Sequence, residues 1–274
     1  MRLSPRHPRF QSLRVRHRLA EAHRRGLVVP EGLIAQGRGE AFDYLLGERS
    51  TPGARRAERT AAAWLRAARH PVVSVNGNVA ALAANEVAAL ARAIPGLGVE
   101  VNLFHRTGAR ARQVAEALRA AGVRQVLGVR PTATIPHLPS DRAKVDRRGI
   151  FAADVCLVPL EDGDRAEALR ALGKRVISID LNPLSRTSRT ADLPIVDEVQ
   201  RALAEVAREA ARSSVVVRPG QFARFDRRAA LAEALATIAR ELSRAAARRP
   251  IARPPGQASR RRSRGSVGRS RRMP

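Results

Sequence analysis

The 274-residue sequence predicts an α/β fold: a mainly parallel sheet flanked by helices, preceded by an N-terminal helical segment. Three observations predict it. From residue 71 onward, short Val- and Ile-rich runs alternate with longer stretches of helical periodicity, the pattern of βα units. Several of those runs stop in clusters of Asn, Asp, Glu and Gly, and open parallel sheets bind their ligands at such carboxyl ends. Upstream of residue 71 the pattern is helical instead.

Residues 12–25 read as a basic helix closed by Gly26, where a glycine just past the last turn belongs. A glycine- and arginine-rich segment, 32–44, follows. Residues 53–70 form an Ala/Arg helix with Trp64 and Leu65 toward the core. The first strand is 71–75, ending at Asn76-Gly77-Asn78, with a helix from 79 to about 93. A strand at 99–104, a helix near 109–121 and a third strand at 125–129 come next. The stretch to Gly149, with prolines 131, 136 and 139, reads as loop. A fourth strand at 155–160 ends in Glu161-Asp162-Gly163-Asp164. A helix reaches 172, and the fifth strand, 175–179, ends in Asp180-Leu181-Asn182-Pro183. A short sixth strand at 194–197 precedes a helix to about 211, and a last helix covers 226–247. Three regions result: 1–70, a helical segment carrying a glycine-arginine phosphate loop and packed on the core; 71–247, the α/β core with its C-terminal helix; and 248–274, an arginine-rich tail expected to be disordered.

Composition narrows the function classes. The formal net charge is +26, which invites a nucleic-acid reading. Eleven arginines and no acid lie between Arg244 and Pro274, however, so the rest of the chain carries +15. Elsewhere the arginines are mixed with acids, and with Lys144 and Lys174 as the two lysines the bias reads as compositional. Aromatics are 3%, too few for a base-stacking platform. The single cysteine, Cys156, sits in an apolar run, so it reads as a core thiol in a reducing compartment. No run approaches the ~20 apolar residues of a membrane span. A cytoplasmic location is the expectation. The six histidines are scattered without metal or triad spacing, which argues against a zinc enzyme or a serine hydrolase.

Four stretches carry chemistry. In 32–44, Arg38 stands between Gly37 and Gly39 with Glu40 and Asp43 behind; a guanidinium fork beside bare backbone suits a phosphate, and a helix-capping turn with a solvated arginine is the alternative. It is neither a Walker loop nor a GxGxxG fingerprint. Asn76-Gly77-Asn78 opens a helix whose amino end can hold a substrate anion, or else Asn78 simply caps it. The acids Glu161, Asp162 and Asp164 can hold Mg²⁺, with Asp164 the candidate ligand, unless Asp164 is the cap of its own helix. Asp180 and Asn182 can hydrogen-bond a ribose or a base edge, and Arg186 and Arg189, beside three hydroxyls, suit phosphates.

The blocks 32–45, 73–82, 159–165 and 179–186, in that order, resemble the archaeal phosphopantothenate synthetases, the 4-phosphopantoate–β-alanine ligases of coenzyme A biosynthesis. The likeness spans about 5–211 and leaves the tail without a counterpart. It implies a Rossmann-like core, a homodimer, and consumption of ATP to AMP and diphosphate through an acyl-adenylate. Carried over position by position, ATP contacts fall on Arg16, Arg38, Asp180, Leu181, Asn182, Arg186, Thr187, Glu198 and Val199. Gln36 departs from the family's usual histidine and cannot carry its charge. Within this reading Lys144 neutralises the substrate phosphate or the transition state, surface lysine being its plain alternative, and Glu40 or Asp162 holds the β-alanine ammonium or accepts its proton. Arg38, Arg186 and Mg²⁺ would neutralise the crowded phosphates. A rival reading is a non-catalytic protein that contacts nucleic acid through the tail, and the tail of an active ligase could also do so nonspecifically.

Overall fold

The computed structural model describes residues 4, 6–7, 9–212 and 218–247. The expected tail, 248–274, lies outside these residues. Helices α1 (Phe10–Arg24), α2 (Pro30–Leu46) and α3 (Pro52–Ala67) precede strand β1 (Pro71–Val75). After it come α4 (Gly77–Ala93), β2 (Gly98–Val101) and α5 (Gly108–Ala120). A two-residue hairpin, β3 (Ala133–Thr134) and β4 (Lys144–Val145), leads into β5 (Val155–Pro159). Then follow α6 (Gly163–Ala171), β6 (Arg175–Ile179), α7 (Arg186–Thr190), β7 (Leu193–Ile195), α8 (Val199–Arg212) and α9 (Arg227–Ala247).

The main sheet has the order β2-β1-β5-β6-β7, and every pairing in it is parallel. The α/β reading therefore holds. Its central strands are apolar on both faces, as a sheet covered on both sides requires. Val73, Val75, Leu157, Ile177 and Ile179 share one core with α1, α3, α4, α5 and α8. The opposite side chains, Val72, Cys156, Val158 and Val176, pack beneath α6 and the β3–β4 hairpin. Burial lifts the Cys156 thiol to about 12, so it is an unreactive core group. A smaller cluster of Leu46, Leu181, Val196, Ala234 and Ile238 seats α9 against α2 and the end of the sheet.

Local signals set the helix ends. Thr51 Oγ1 accepts from Ala54 N at 3.1 Å ahead of Pro52, and Thr107 Oγ1 accepts from Arg110 N at 3.1 Å ahead of α5. Gly26 (φ +76°) follows α1 as expected, and Gly47 (φ +86°) ends α2 in the left-handed conformation.

The structure corrects three expectations and adds one short helix. The glycine-arginine segment is the interior of helix α2 rather than a loop, because Pro30 starts it and tertiary contacts offset the ~1 kcal/mol that each interior glycine costs. Residues 125–129 form no strand: Leu127 lies beside β2 at the sheet edge but pairs there only with Glu100, in a single bridge. The supposed loop before Gly149 contains the β3–β4 hairpin, each strand too short to leave a periodic signal. The hydroxyl-rich segment after Asn182 contains α7, capped by Ser185 Oγ accepting from Ser188 N at 3.0 Å.

Candidate active site

The strand order reverses between β1 and β5, and in open parallel sheets ligands bind outside that switch point. Here Asn76, not Asn78, caps α4: its Oδ1 accepts from Val79 N at 3.0 Å while its Nδ2 donates to the Pro159 and Leu160 carbonyls at 3.2 and 3.0 Å. Asn76 thus staples the end of β1 to the end of β5. Asn78 instead donates to the Gly32 carbonyl of α2 at 2.8 Å. A Cβ on Gly32 would stand 2.3 Å from Asn78 Oδ1, so this close crossing requires glycine.

From that contact α2, 17 residues and so ~25 Å long, runs across the carboxyl edge of the sheet. A Cβ on Gly39 would lie 3.5 Å from Leu181, just beyond β6, whereas one on Gly37 would meet nothing within 4 Å. Arg38 is exposed and makes no hydrogen bond or ion pair among the described residues, yet its charge favours the ionised form of Asp180. Burial acts the other way and dominates, so the Asp180 carboxyl titrates above its ordinary range. Farther along, Asp43 takes a bidentate hold on Arg201 of α8, with distances of 3.1 and 2.5 Å.

A cleft of about 690 Å³ opens between α1, α2 and the start of α8, lined by Gln36, Glu40, Asp43, Leu181, Glu198 and Arg201 among others. Arg16 grips Glu40 through two hydrogen bonds of 2.9 and 2.8 Å, and the Tyr44 hydroxyl donates to the same carboxylate. Burial pushes the Glu40 carboxyl up, but Arg16 and Tyr44 together hold it below the usual range. Glu198 Oε2 accepts from the N–H groups of Gln200 and Arg201 at the amino end of α8, at 2.9 and 3.1 Å. Its Oε1 is buried without a hydrogen-bond partner, and burial raises its pKa.

Residues 53–241 match the model of the phosphopantothenate/pantothenate synthetase family. The chain belongs to this family. The chain is 50% identical to the 4-phosphopantoate–beta-alanine ligase of Methanosarcina mazei over 246 residues, 88% of this chain and 96% of that protein. It is 56% identical to the protein of that name from Methanospirillum hungatei over 202 residues, 74% of this chain and 82% of the relative. The protein of that name from Thermococcus kodakarensis is 53% identical over 207 residues, 74% of this chain and 79% of its own length.

In this phosphopantothenate/pantothenate synthetase family member, the acids after β5 are all engaged. Glu161, with its side chain 1% exposed, pairs with the fully buried Arg165 and, at 2.8 Å, with Arg142. Arg142 Nε also bonds Asp162 at 2.9 Å. Burial nevertheless raises the Asp162 pKa, helped by the charge of Glu161. Asp164 and Glu167 share Arg186, and the stem of Arg186 crosses Gly163, where a Cβ would meet its Cγ at 2.5 Å. Thr187 Oγ1 donates to the Glu161 carbonyl at 2.6 Å, locking α7 to this turn. Among the described residues no group of three or more His, Cys, Asp or Glu is arranged to hold a metal ion.

The structure thus gathers Gln36, Glu40, Leu181 and Glu198 around one cleft, with Arg16 tied to Glu40 and Val199 starting the adjoining helix. The charge of Arg38 reaches Asp180, and Asn182 N donates to Asp180 Oδ1 at 2.9 Å. Lys144 lies outside that cleft on β4, 55% exposed and paired with Asp141 at 2.7 Å, and its carbonyl accepts from Asn102 just past the end of β2. Sequence reasoning missed Arg142, Arg201, Asp197 and Glu58. In a chain this rich in arginine no local signal marks the two that matter; the helical register that puts Glu58 on the same face as Ala54, Ala57, Ala61 and Leu65 was the one available clue to it.

Proposed function

We propose that this chain is a 4-phosphopantoate–β-alanine ligase acting in coenzyme A biosynthesis. The observation that carries the reading is its likeness to ligases of that name over 74–88% of its length. In the proposed reaction the phosphopantoate carboxylate oxygen attacks the α-phosphorus of ATP and diphosphate leaves. The β-alanine amine then attacks the acyl carbon, AMP leaves, and the nitrogen gives up its proton.

Each half of the carboxyl edge suits one part of this chemistry. ATP belongs to the β6–β7 side: Asp180 and Asn182 toward ribose or base, with Leu181, Thr187, Glu198 and Val199 around them, and Arg38 toward the phosphates. Arg38 needs no partner exchange to bind an anion, whereas Arg16 and Arg186 must leave Glu40 and the Asp164–Glu167 pair respectively. Phosphopantoate belongs to the β1–β5 side, at the amino end of α4 around Asn76, Gly77 and Asn78, with Lys144 toward its phosphate. Asp162 is the better proton acceptor, since its pKa is raised while that of Glu40 is lowered. Asp164 and its neighbours do not fit a resident Mg²⁺, because every carboxylate there already has a guanidinium partner. In this proposal Mg²⁺ arrives as the complex with the triphosphate. Homodimeric assembly and a cytoplasmic location belong to the same proposal; no helix among the described residues is long and apolar enough to cross a membrane.

The test is diphosphate release from MgATP and 4-phosphopantoate, with and without β-alanine. AMP and diphosphate formed in step with an amide product support the ligase. A folded protein that binds ATP without turnover points to another acid substrate, and one that does not bind ATP removes the site assignment.

A further inference from the structure

The insertion between the sheet edge and β5 carries both Arg142 and Lys144. Two buried polar side chains of β2 and the residue after it hold that insertion. Glu100 and Asn102 lie two residues apart, so they share one face of the strand, and both are 0% exposed. Glu100 accepts from Asp146 N through Oε1 at 2.8 Å and from Ile150 N through Oε2 at 2.6 Å. Asn102 Nδ2 donates to the carbonyls of Arg142 and Lys144, both at 3.1 Å, and Arg142 Nη1 donates back to the Asn102 carbonyl at 3.2 Å.

The backbone is shaped around the carboxylate. A Cβ on Gly149 would stand 2.0 Å from Glu100 Oε2, and one on Gly128 would stand 2.7 Å from Glu100 Cγ. A glutamate buried this completely loses its hydration, and a leucine in its place would fill the space more cheaply. What a leucine would not do is bind two backbone N–H groups of a segment that has little regular structure of its own. The far end of that segment reaches the acids: Arg142 bonds Glu161 and Asp162 at the end of β5.

We infer that Glu100 and Asn102 are positioning residues for the acyl-transfer half of the site, fixing the insertion so that Arg142 meets Asp162 and Lys144 stands at the carboxyl edge. This rests on the ligase reading. The insertion touches β6 only at the amino end of that strand, where Lys174 donates to the Phe151 and Ala153 carbonyls at 2.7 and 2.8 Å and Arg175 N donates to the Asp154 carbonyl at 2.8 Å. At the carboxyl edge Arg38, Asp180, Asn182, Arg186, Thr187 and Glu198 share no hydrogen bond with it among the described residues, so the inference separates the two halves. Loss of Glu100 acts on turnover and not on ATP affinity. A general loosening of the fold acts on both.

The experiment is the full-length Glu100→Gln protein beside the wild type. Glutamine keeps the shape but sets an NH₂ group against one of the two N–H donors. The expected result is an ATP Kd within twofold of wild type, a kcat for amide formation at least tenfold lower, and faster amide exchange confined to 128–151. If Glu100→Gln does not fold, Glu100→Asp keeps the charge but loses the reach to both N–H groups, and the same split is expected. A kcat within twofold of wild type overturns the inference, as does a parallel loss of ATP affinity and kcat. Failure of the ligase reading is distinguishable, because the wild type itself then forms no amide.

Discussion

Replacing Glu58 by Gln should make the protein's stability less sensitive to alkali. Glu58 lies on α3, 0% exposed, with its carboxyl beside that of Asp197, itself 2% exposed. Asp197 already accepts from Ser50 Oγ at 2.5 Å, from Glu198 N at 2.7 Å and from the Arg201 guanidinium. Those donors fix Asp197 as the charged member of the pair, so Glu58 carries the proton and supplies the donor that two bare carboxylates would lack. Burial first, and then the charge of Asp197, push the Glu58 carboxyl to about 9; Glu205 adds to the shift and Arg55 opposes it. The unfolded chain releases this proton near the ordinary glutamate value of about 4.3. Between that value and 9 the native state therefore holds a proton that the unfolded state has lost. The stabilisation is complete at low pH and disappears as pH rises through this window, at up to ~1.4 kcal/mol per pH unit. From pH 6 to pH 8 the wild type forfeits up to ~2.7 kcal/mol through this group alone. Glutamine, always neutral and able to donate to Asp197, forfeits none. Titrations not coupled to Glu58 are common to both proteins and cancel in the difference. Urea unfolding at pH 6, 7 and 8 should show the stability of Glu58→Gln gaining on the wild type with each step. A difference that does not change with pH would refute the shared proton.

Four further outcomes are expected. Arg38→Ala should raise the ATP Kd at least tenfold in equilibrium titration and leave the urea midpoint unchanged, since Arg38 is exposed and makes no hydrogen bond or ion pair among the described residues. Arg165→Leu should cost roughly 3–5 kcal/mol in denaturant unfolding, because it strands the buried Glu161 carboxylate with one guanidinium partner. Arg186→Ala should weaken ATP binding at least fivefold without moving the midpoint, since its pairs with Asp164 and Glu167 are exposed and screened. A chain ending at Ala247 should keep its kcat and lose its retention of RNA at low salt; loss of amide formation instead would favour a catalytic use of the tail.

The central strands were legible within a residue or so because a strand buried on both faces must be a continuous apolar run. Residues 71–75, 155–159 and 175–179 are such runs, and the polar clusters that end them do lie along the carboxyl edge. The family was legible for a related reason: its residues come in four contiguous blocks. Less of the site was readable. Arg142 bonds Asp162 across 20 residues, and Arg201 bonds Asp43 across 158, so no local pattern could pair them.

What the sequence alone determined was composition, the order of the strands and helices and the chemistry available at each strand end, since these follow from local periodicity and side-chain type. The tertiary structure decided the rest. Glycines that read as a loop lie inside a helix that packs across the sheet edge, and of the three only Gly32, crossing Asn78 where a Cβ would stand 2.3 Å from its Oδ1, makes a contact that a side chain would obstruct. Carboxylates that read as metal ligands are ion-pair partners because the fold brings Arg142 and Arg186 to them from elsewhere in the chain, while the first turn of α6 sets Arg165 against Glu161. Charge on an acid depends on what lies within a few ångströms of it, and that distance is set by packing, not by position in the sequence.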